Sequence, residues 1–234
     1  MFTTLAVIAT TTVAIVSAAW ARHMVAETRR LRAALTDAAW QLAHDPLTGL
    51  LNRAGLLAAH TTHTTLTTHP QPILAILIDL DGFKTINDTH GHDTGDDLLI
   101  TIADRIEELT DLHGGVAARL SGDEYAALLP VCRHDVDRIA AAFVAVIAAP
   151  ARLDIDGHLS TIAVTASIGV ACVESTDSLG DVALHRADIA MYHAKHGGGN
   201  QHVIYTPGLR MPTRAARRGP RPRDLHSTDR GTGA

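Results

Sequence analysis

The chain has 234 residues, 46 % of them apolar but only 3 % aromatic, enough for one ordinary domain with a core of Ala, Val, Ile and Leu. Its net charge of −5 is unevenly spread: from Thr206 onward seven Arg face two Asp, leaving 13 basic against 23 acidic residues in the preceding body. A body this acidic excludes a general nucleic-acid-binding surface.

Phe2 to Ala21 carries no charge for twenty residues, the length a bilayer core asks of a helix. A cleavable signal peptide would want basic residues ahead of the apolar run, and there are none. The positive residues follow it: Arg22, Arg29, Arg30 and Arg32. The expectation is a single-pass anchor over residues 1–21 in the inner (cell) membrane, with everything after Arg22 cytoplasmic. Over 22–44, Met24, Thr28, Leu31, Leu35, Ala38 and Leu42 recur at spacings of four and three. That seam suits a parallel pair of juxtamembrane helices, or an amphipathic helix docked on the body. Asp45-Pro46 ends it, because the residue before a proline is pushed out of the helical region.

The body, 45–206, alternates elements. A helix is expected over 52–66, a buried strand over 73–81, and a helix over 93–109 with acids in its first turn. A hairpin follows over 116–120 and 125–129, then a helix over 135–149, a strand over 161–172 and a helix over 181–196. The class is α/β or α+β with an antiparallel hairpin inside the sheet. Cys132 and Cys172 form neither a metal-ligand pattern nor a disulfide framework, and read as buried thiols of a reducing compartment. The fifteen histidines, His60, His63 and His69 among them in a Thr-rich stretch, lack an H-x-x-x-H spacing and read as solvated. Residues 207–234 are rich in Pro, Arg and Gly without an apolar face; they are expected to be a disordered basic tail, with adhesion to anionic lipid as the functional alternative.

Two strand ends carry paired acids: Asp79 and Asp81 in "IDLDGF", and Asp123 and Glu124 in "SGDEY". If those strands are neighbours, their carboxylates converge and repel unless a cation sits among them. Oxygen-only ligands favour a hard ion such as Mg²⁺. Between the two ends, the glycines at 82, 91 and 95 leave backbone amides free for phosphates, and Lys84 can neutralise one. Asn87 and Asp96 offer an amide and a carboxylate. Such a carboxylate accepts from the ring N–H and exocyclic amine of guanine, a donor pair that adenine lacks.

"DPLTGLLNR", "IDLDGFKTINDTHGHDTGDDLL", "RLSGDEY" and "RADIAMYHAKHGGGN" stand in this order, and together resemble the GGDEF family of diguanylate cyclases from about Asp45 to Tyr205. The resemblance implies a central, mainly antiparallel sheet wrapped by helices, like the palm of nucleotide cyclases and polymerases. It implies that Asp79, Asp123 and the main-chain carbonyl of Leu80 ligate Mg²⁺, with Mn²⁺ as a substitute. Glu124 would stand beside them, and either Asp123 or Glu124 could serve as base. Asn87 and Asp96 would read guanine, while Lys84, Lys195 and the Gly122 turn would hold GTP. The activity implied is condensation of two GTP to cyclic di-GMP and two pyrophosphates by a homodimer, with cyclic di-GMP receptors downstream and no nucleic-acid partner. The chain departs from the family at Ser121 and Tyr125, and Gly199 stands where many relatives carry a phosphate-binding Arg. It also lacks the inhibitory Arg-x-x-Asp before the turn, so product inhibition there is not expected. A catalytically silent GTP-binding module is the alternative.

Overall fold

The computed structural model describes residues 2–67, 69–130, 135–155 and 157–212. Cys132, and residues 213–234 of the expected disordered tail, lie outside them.

Helix α1, Phe2–Ala43, is followed by α2, Arg53–Leu66. Then come β1 (Pro72–Asp81), α3 (Phe83–His90), α4 (His92–Leu112), β2 (Val116–Ser121), β3 (Glu124–Leu129) and α5 (Val136–Ala148). The chain continues through β4 (Ala151–Ile155), β5 (His158–Ile162) and β6 (Thr165–Glu174). A π-helical turn over Leu179–Leu184 leads into α6 (His185–His196), and β7 (Gln201–Ile204) closes the fold.

The main sheet has the order β2-β3-β1-β6-β7, antiparallel throughout except for the parallel β6–β7 pair. Strands β4 and β5 form a separate small hairpin. β1 is central and buried from Ile73 to Leu80, which is why it reads as a continuous apolar run. Its residues alternate between two cores. Leu74, Ile76, Ile78 and Leu80 pack with Ile102 and Ile106 of α4 and Phe143 of α5. Ile73, Ala75 and Leu77 pack with Leu56 of α2 and Ala187 of α6. The body is therefore three layers, α2 and α6 on one face of the sheet and α4 and α5 on the other.

α1 runs about 63 Å at 1.5 Å per residue. Met24, Leu31, Leu35 and Leu42 of the expected seam are exposed, so the helix is not docked along the body. Its end is held by Asn52, whose side-chain amide donates to the carbonyls of Leu42 and His44, while the Asn52 side chain also caps α2.

Among the described residues no helix is long and apolar enough to cross a membrane. The single-pass span expected over residues 1–21, and with it the inner-membrane localisation, is corrected accordingly. Five threonines and a serine dilute those twenty residues, and the helix runs on unbroken into Arg22, Glu27, Arg29 and Arg30.

Candidate active site

The alternation that buries Leu77 toward α6 turns Asp79 to the same face, where the residue is 8 % exposed. β3 then sets Glu124 directly opposite Asp79, and Leu80 N–H donates to the Asp123 carbonyl at 3.2 Å. The two acid-tipped strands expected to be neighbours are neighbours, in antiparallel register. Carboxylates directly opposite one another on adjacent strands repel. A cation answers them: Lys195, near the end of α6, places Nζ 2.6 Å from Asp79 Oδ1. Burial alone would lower the Lys195 pKa, but the Asp79 hydrogen bond and the charges of Asp79, Asp123 and Asp81 outweigh it and hold it above its ordinary value. One ammonium thus feels three carboxylates.

Among the described residues no three His, Cys, Asp or Glu form a ready-made metal cluster. The donors at hand, two carboxylates and a main-chain carbonyl, are all oxygens. Such a set fits a hard ion that completes its shell with water and phosphate, as Mg²⁺ does.

Asp81 has another task. Its carboxylate accepts from Thr165 Oγ1 at 2.7 Å, Ser167 Oγ at 2.6 Å and Asn200 N at 2.8 Å. It thereby ties the end of β1 to β6 and to the turn before β7. Gly199 sits against it at φ +74°, and a Cβ there would lie 2.8 Å from Asp81 Oδ2. The missing arginine therefore coincides with a backbone conformation and a close approach that both favour glycine.

The turn joining β2 to β3 is braced from outside. Gly122 at its tip has φ +43°. Arg119 donates through Nε to the Gly122 carbonyl at 2.9 Å and through Nη1 to Asp45 Oδ1 at 2.9 Å. Burial would raise the Asp45 pKa, but hydrogen bonds from Arg119 and Thr48 and the guanidinium charge bring it below its usual value. Asp45 directly follows the segment that ends α1, so one arginine connects the helix exit to the acidic turn. Sequence reasoning missed this pair because 74 residues separate its members. The one available signal was an arginine inside the otherwise apolar run "VAARL".

Both substitutions within the motif have partners. Ser121 Oγ donates to Glu124 Oε2 at 2.8 Å. Tyr125 is fully buried and its hydroxyl donates to the Leu99 carbonyl at 2.9 Å; burial, foremost, pushes that phenol well above its ordinary pKa.

On the other side of Asp81, Gly82 begins α3 with Lys84 exposed in its first turn. Asn87 lies nearly one turn further along. Its Oδ1 is buried without a hydrogen-bond partner among the described residues. It packs onto Gly95 of α4, where a Cβ would collide with Oδ1 and stand 3.0 Å from Asn87 Cγ. Gly95 is therefore not a free amide for phosphate: its N–H donates to the Gly91 carbonyl, and its missing side chain makes room for Asn87. Asp96, the next residue, is exposed. A groove of about 340 Å³ lined by Arg53, Leu120, Glu124, His185 and Asp188 opens beside the acidic turn. Arg53 and Asp188 fall inside the motif-bearing segments, but no individual role was read for them.

Residues 42–201 match the family model described as diguanylate cyclase, GGDEF domain. The biofilm architecture maintenance protein MbaA of Vibrio cholerae is 37 % identical over 180 residues, covering 71 % of this chain and 22 % of that protein. Diguanylate cyclase TpbB of Pseudomonas aeruginosa is 39 % identical over 172 residues, 71 % of this chain and 38 % of its own length. The chain thus spans well under half of either relative. Among solved structures, the coiled coil and GGDEF domain of DgcB from Caulobacter crescentus, in complex with c-di-GMP, superposes with a TM-score of 0.68 at 28 % identity. It covers 80 % of this chain and 97 % of that one.

Proposed function

The chain belongs to the GGDEF diguanylate cyclase family, and from that premise we propose that it condenses two GTP molecules into cyclic di-GMP and two pyrophosphates. The observation that carries this reading is the antiparallel register setting Glu124 against Asp79, with the Lys195 ammonium 2.6 Å from Asp79. It supports a site that gathers negative charge and needs a cation.

The body from 45 to 206 is the catalytic domain. Asn87 Oδ1, an acceptor awaiting a donor, and the Asp96 carboxylate hold the guanine edge. Lys84 and Lys195 hold phosphate, and Lys195 would leave the Asp79 carboxylate for the nucleotide. Gly122, without a side chain at the tip of the turn, lets the nucleotide approach. Mg²⁺, or Mn²⁺ in its place, would be held by Asp79, Asp123 and the Leu80 carbonyl, and would lower the pKa of the 3′-hydroxyl and offset charge on the α-phosphate. The Asp123/Glu124 pair takes the proton as the 3′-oxygen bonds to the α-phosphorus of the second GTP and the bond to pyrophosphate breaks. Repeating the step in the other direction closes the ring. Arg119 keeps the turn in register by holding the Gly122 carbonyl.

Each domain binds one GTP, so two must face one another. The exposed seam of Met24, Leu31, Leu35 and Leu42 supports a parallel homodimer through α1, which raises the effective concentration of one domain for its partner.

A second reading, a GTP-binding module without turnover, is favoured by the Ser121 hydroxyl engaging Glu124 Oε2. One experiment separates the two. Purified full chain and its Asp123→Ala variant are incubated with GTP and Mg²⁺, and the products are identified by mass. Cyclic di-GMP from the wild type alone supports the enzyme. GTP binding without product supports the silent module, and equal turnover by both proteins overturns the role given to Asp123.

A further inference from the structure

Position 121 carries a serine where the family motif has its first glycine, and the backbone tolerates it: among the described non-glycine residues only Asn200 has a positive φ. What the hydroxyl does follows from the register. Glu124 of β3 faces Asp79 of β1 on one side and Ser121 of β2 on the other. Residues directly opposite in antiparallel strands share a face of the sheet, so these three side chains stand in one row. A slip in the ladder makes it so. Arg119 pairs with Tyr125, and regular continuation would set Leu120 opposite Glu124. The register instead shifts between Arg119 and Ser121, and the extra residue brings Ser121 to that place. Each acid of the facing pair then has its own donor. Lys195 Nζ lies 2.6 Å from Asp79 Oδ1, and Ser121 Oγ donates to Glu124 Oε2 at 2.8 Å.

We propose that Ser121 is a positioning residue that restrains turnover, by holding the Glu124 carboxylate toward β2 and away from Asp79. The proposal rests on the cyclase reading above, in which Glu124 acts beside Asp79 and Asp123. β3 lies between β2 and β1, so a carboxylate tied to Ser121 is drawn toward one neighbouring strand at the expense of the other. Repulsion from Asp79 pushes the same way, because like charges directly opposite one another destabilise the pair. A hydrogen bond to an ionised carboxylate is about twice as strong as one between neutral groups, and Glu124 must break it to turn toward the reacting atoms. A glycine at 121 has no side-chain donor and would leave that carboxylate free to turn. Ser121 is exposed and Glu124 half-buried, so water competes for the bond and the restraint slows the step without closing the site. Asn87 and Asp96, given to the guanine, belong to α3 and α4, outside this row. The restraint therefore falls on kcat and not on KM.

The test compares the full chain with Ser121→Gly, Ser121→Ala and Ser121→Thr. Each is given GTP and Mg²⁺, kcat and KM are taken from cyclic di-GMP quantified by mass, and binding of a non-hydrolysable GTP analogue is measured alongside. Ser121→Ala and Ser121→Gly should raise kcat roughly three- to tenfold, the upper figure being the weak end of a hydrogen bond to a charged group. KM and analogue affinity should not move. Ser121→Thr keeps the hydroxyl and should stay near the wild-type rate. A gain in Ser121→Gly alone would report a looser turn, and an equal gain in Ser121→Thr and Ser121→Ala would exclude the hydroxyl; either overturns the proposal. So does a change confined to KM. Product from all four chains at one rate leaves the cyclase reading standing and removes the restraint alone. Product from Ser121→Ala and Ser121→Gly with none from wild type supports the restraint, and analogue binding without product from any chain overturns both.

Discussion

Gly95→Ala separates the nucleotide site from the stability of the fold. The new Cβ would stand inside contact distance of Asn87 Oδ1, 3.0 Å from Asn87 Cγ and 3.3 Å from Phe83 Cζ. The obstacle is the tip of a flexible side chain, so Asn87 swings away and the backbone stays. That movement sacrifices no bond among the described residues, because Oδ1 has no partner among them. An alanine inside α4 gains up to about 1 kcal/mol of helix propensity over glycine, which offsets the rotamer change, so net stability should move by less than about 1 kcal/mol. Binding should not be spared. Losing one neutral hydrogen bond to the guanine costs roughly 1 kcal/mol, about fivefold in Kd. The assay pairs urea denaturation with equilibrium binding of a GTP analogue, on Gly95→Ala, Asn87→Ala and the double variant. Each single variant should weaken binding about fivefold, and the double variant no further, because both remove the same contact. Unchanged GTP affinity in Gly95→Ala, or fully additive losses, would refute the assignment of Asn87 to the guanine.

Three further outcomes follow from hydrogen bonds away from the nucleotide. Tyr125→Phe removes the bond to the Leu99 carbonyl, and should cost about 1 kcal/mol in chemical denaturation while leaving turnover intact, since that carbonyl keeps its place in α4. Asp81→Ala strips three donors of their acceptor and strands the buried Ser167 hydroxyl. A loss of about 2–4 kcal/mol is expected, and a loss within error would mean that Asp81 is not structural. Asp45 has a folded pKa below its ordinary 3.8, so the stability it contributes is present above that value and fades as pH falls through the lower one. The stability gap between wild type and Asp45→Asn should therefore close on acid titration below about pH 3.8 and stay constant from there to neutrality.

What could be read from the residues follows from how each element is buried. β1 announced itself because it is covered on both faces, and the hairpin because two apolar runs bracket a glycine turn. α3 was missed: its eight residues open on a glycine in the left-handed region and bury only Phe83, so no apolar period develops. β7 is four half-buried residues paired on one side with β6, and carries no alternation of its own. The strand expected over 161–172 is two strands. The chain leaves the β4–β5 hairpin at Ile162 and joins the main sheet at Thr165, both sides of the break being apolar. At the site, the paired acids at two strand ends pointed to strands that do lie side by side in the sheet. Residue type was misleading where partners distant in sequence decide. Asp81 looked like half of an acidic pair until Thr165, Ser167 and Asn200 claimed its oxygens, and Gly95 looked like an open amide until Asn87 filled the space above it.

The most direct test is a crystal of the full chain grown with Mn²⁺ and a non-hydrolysable GTP analogue, with the ion located by anomalous scattering. One ion ligated by both Asp79 and Asp123, with Lys195 moved from Asp79 to the phosphates, is the expected result. An ion bound elsewhere, or Lys195 still on Asp79 with the nucleotide in place, would contradict it.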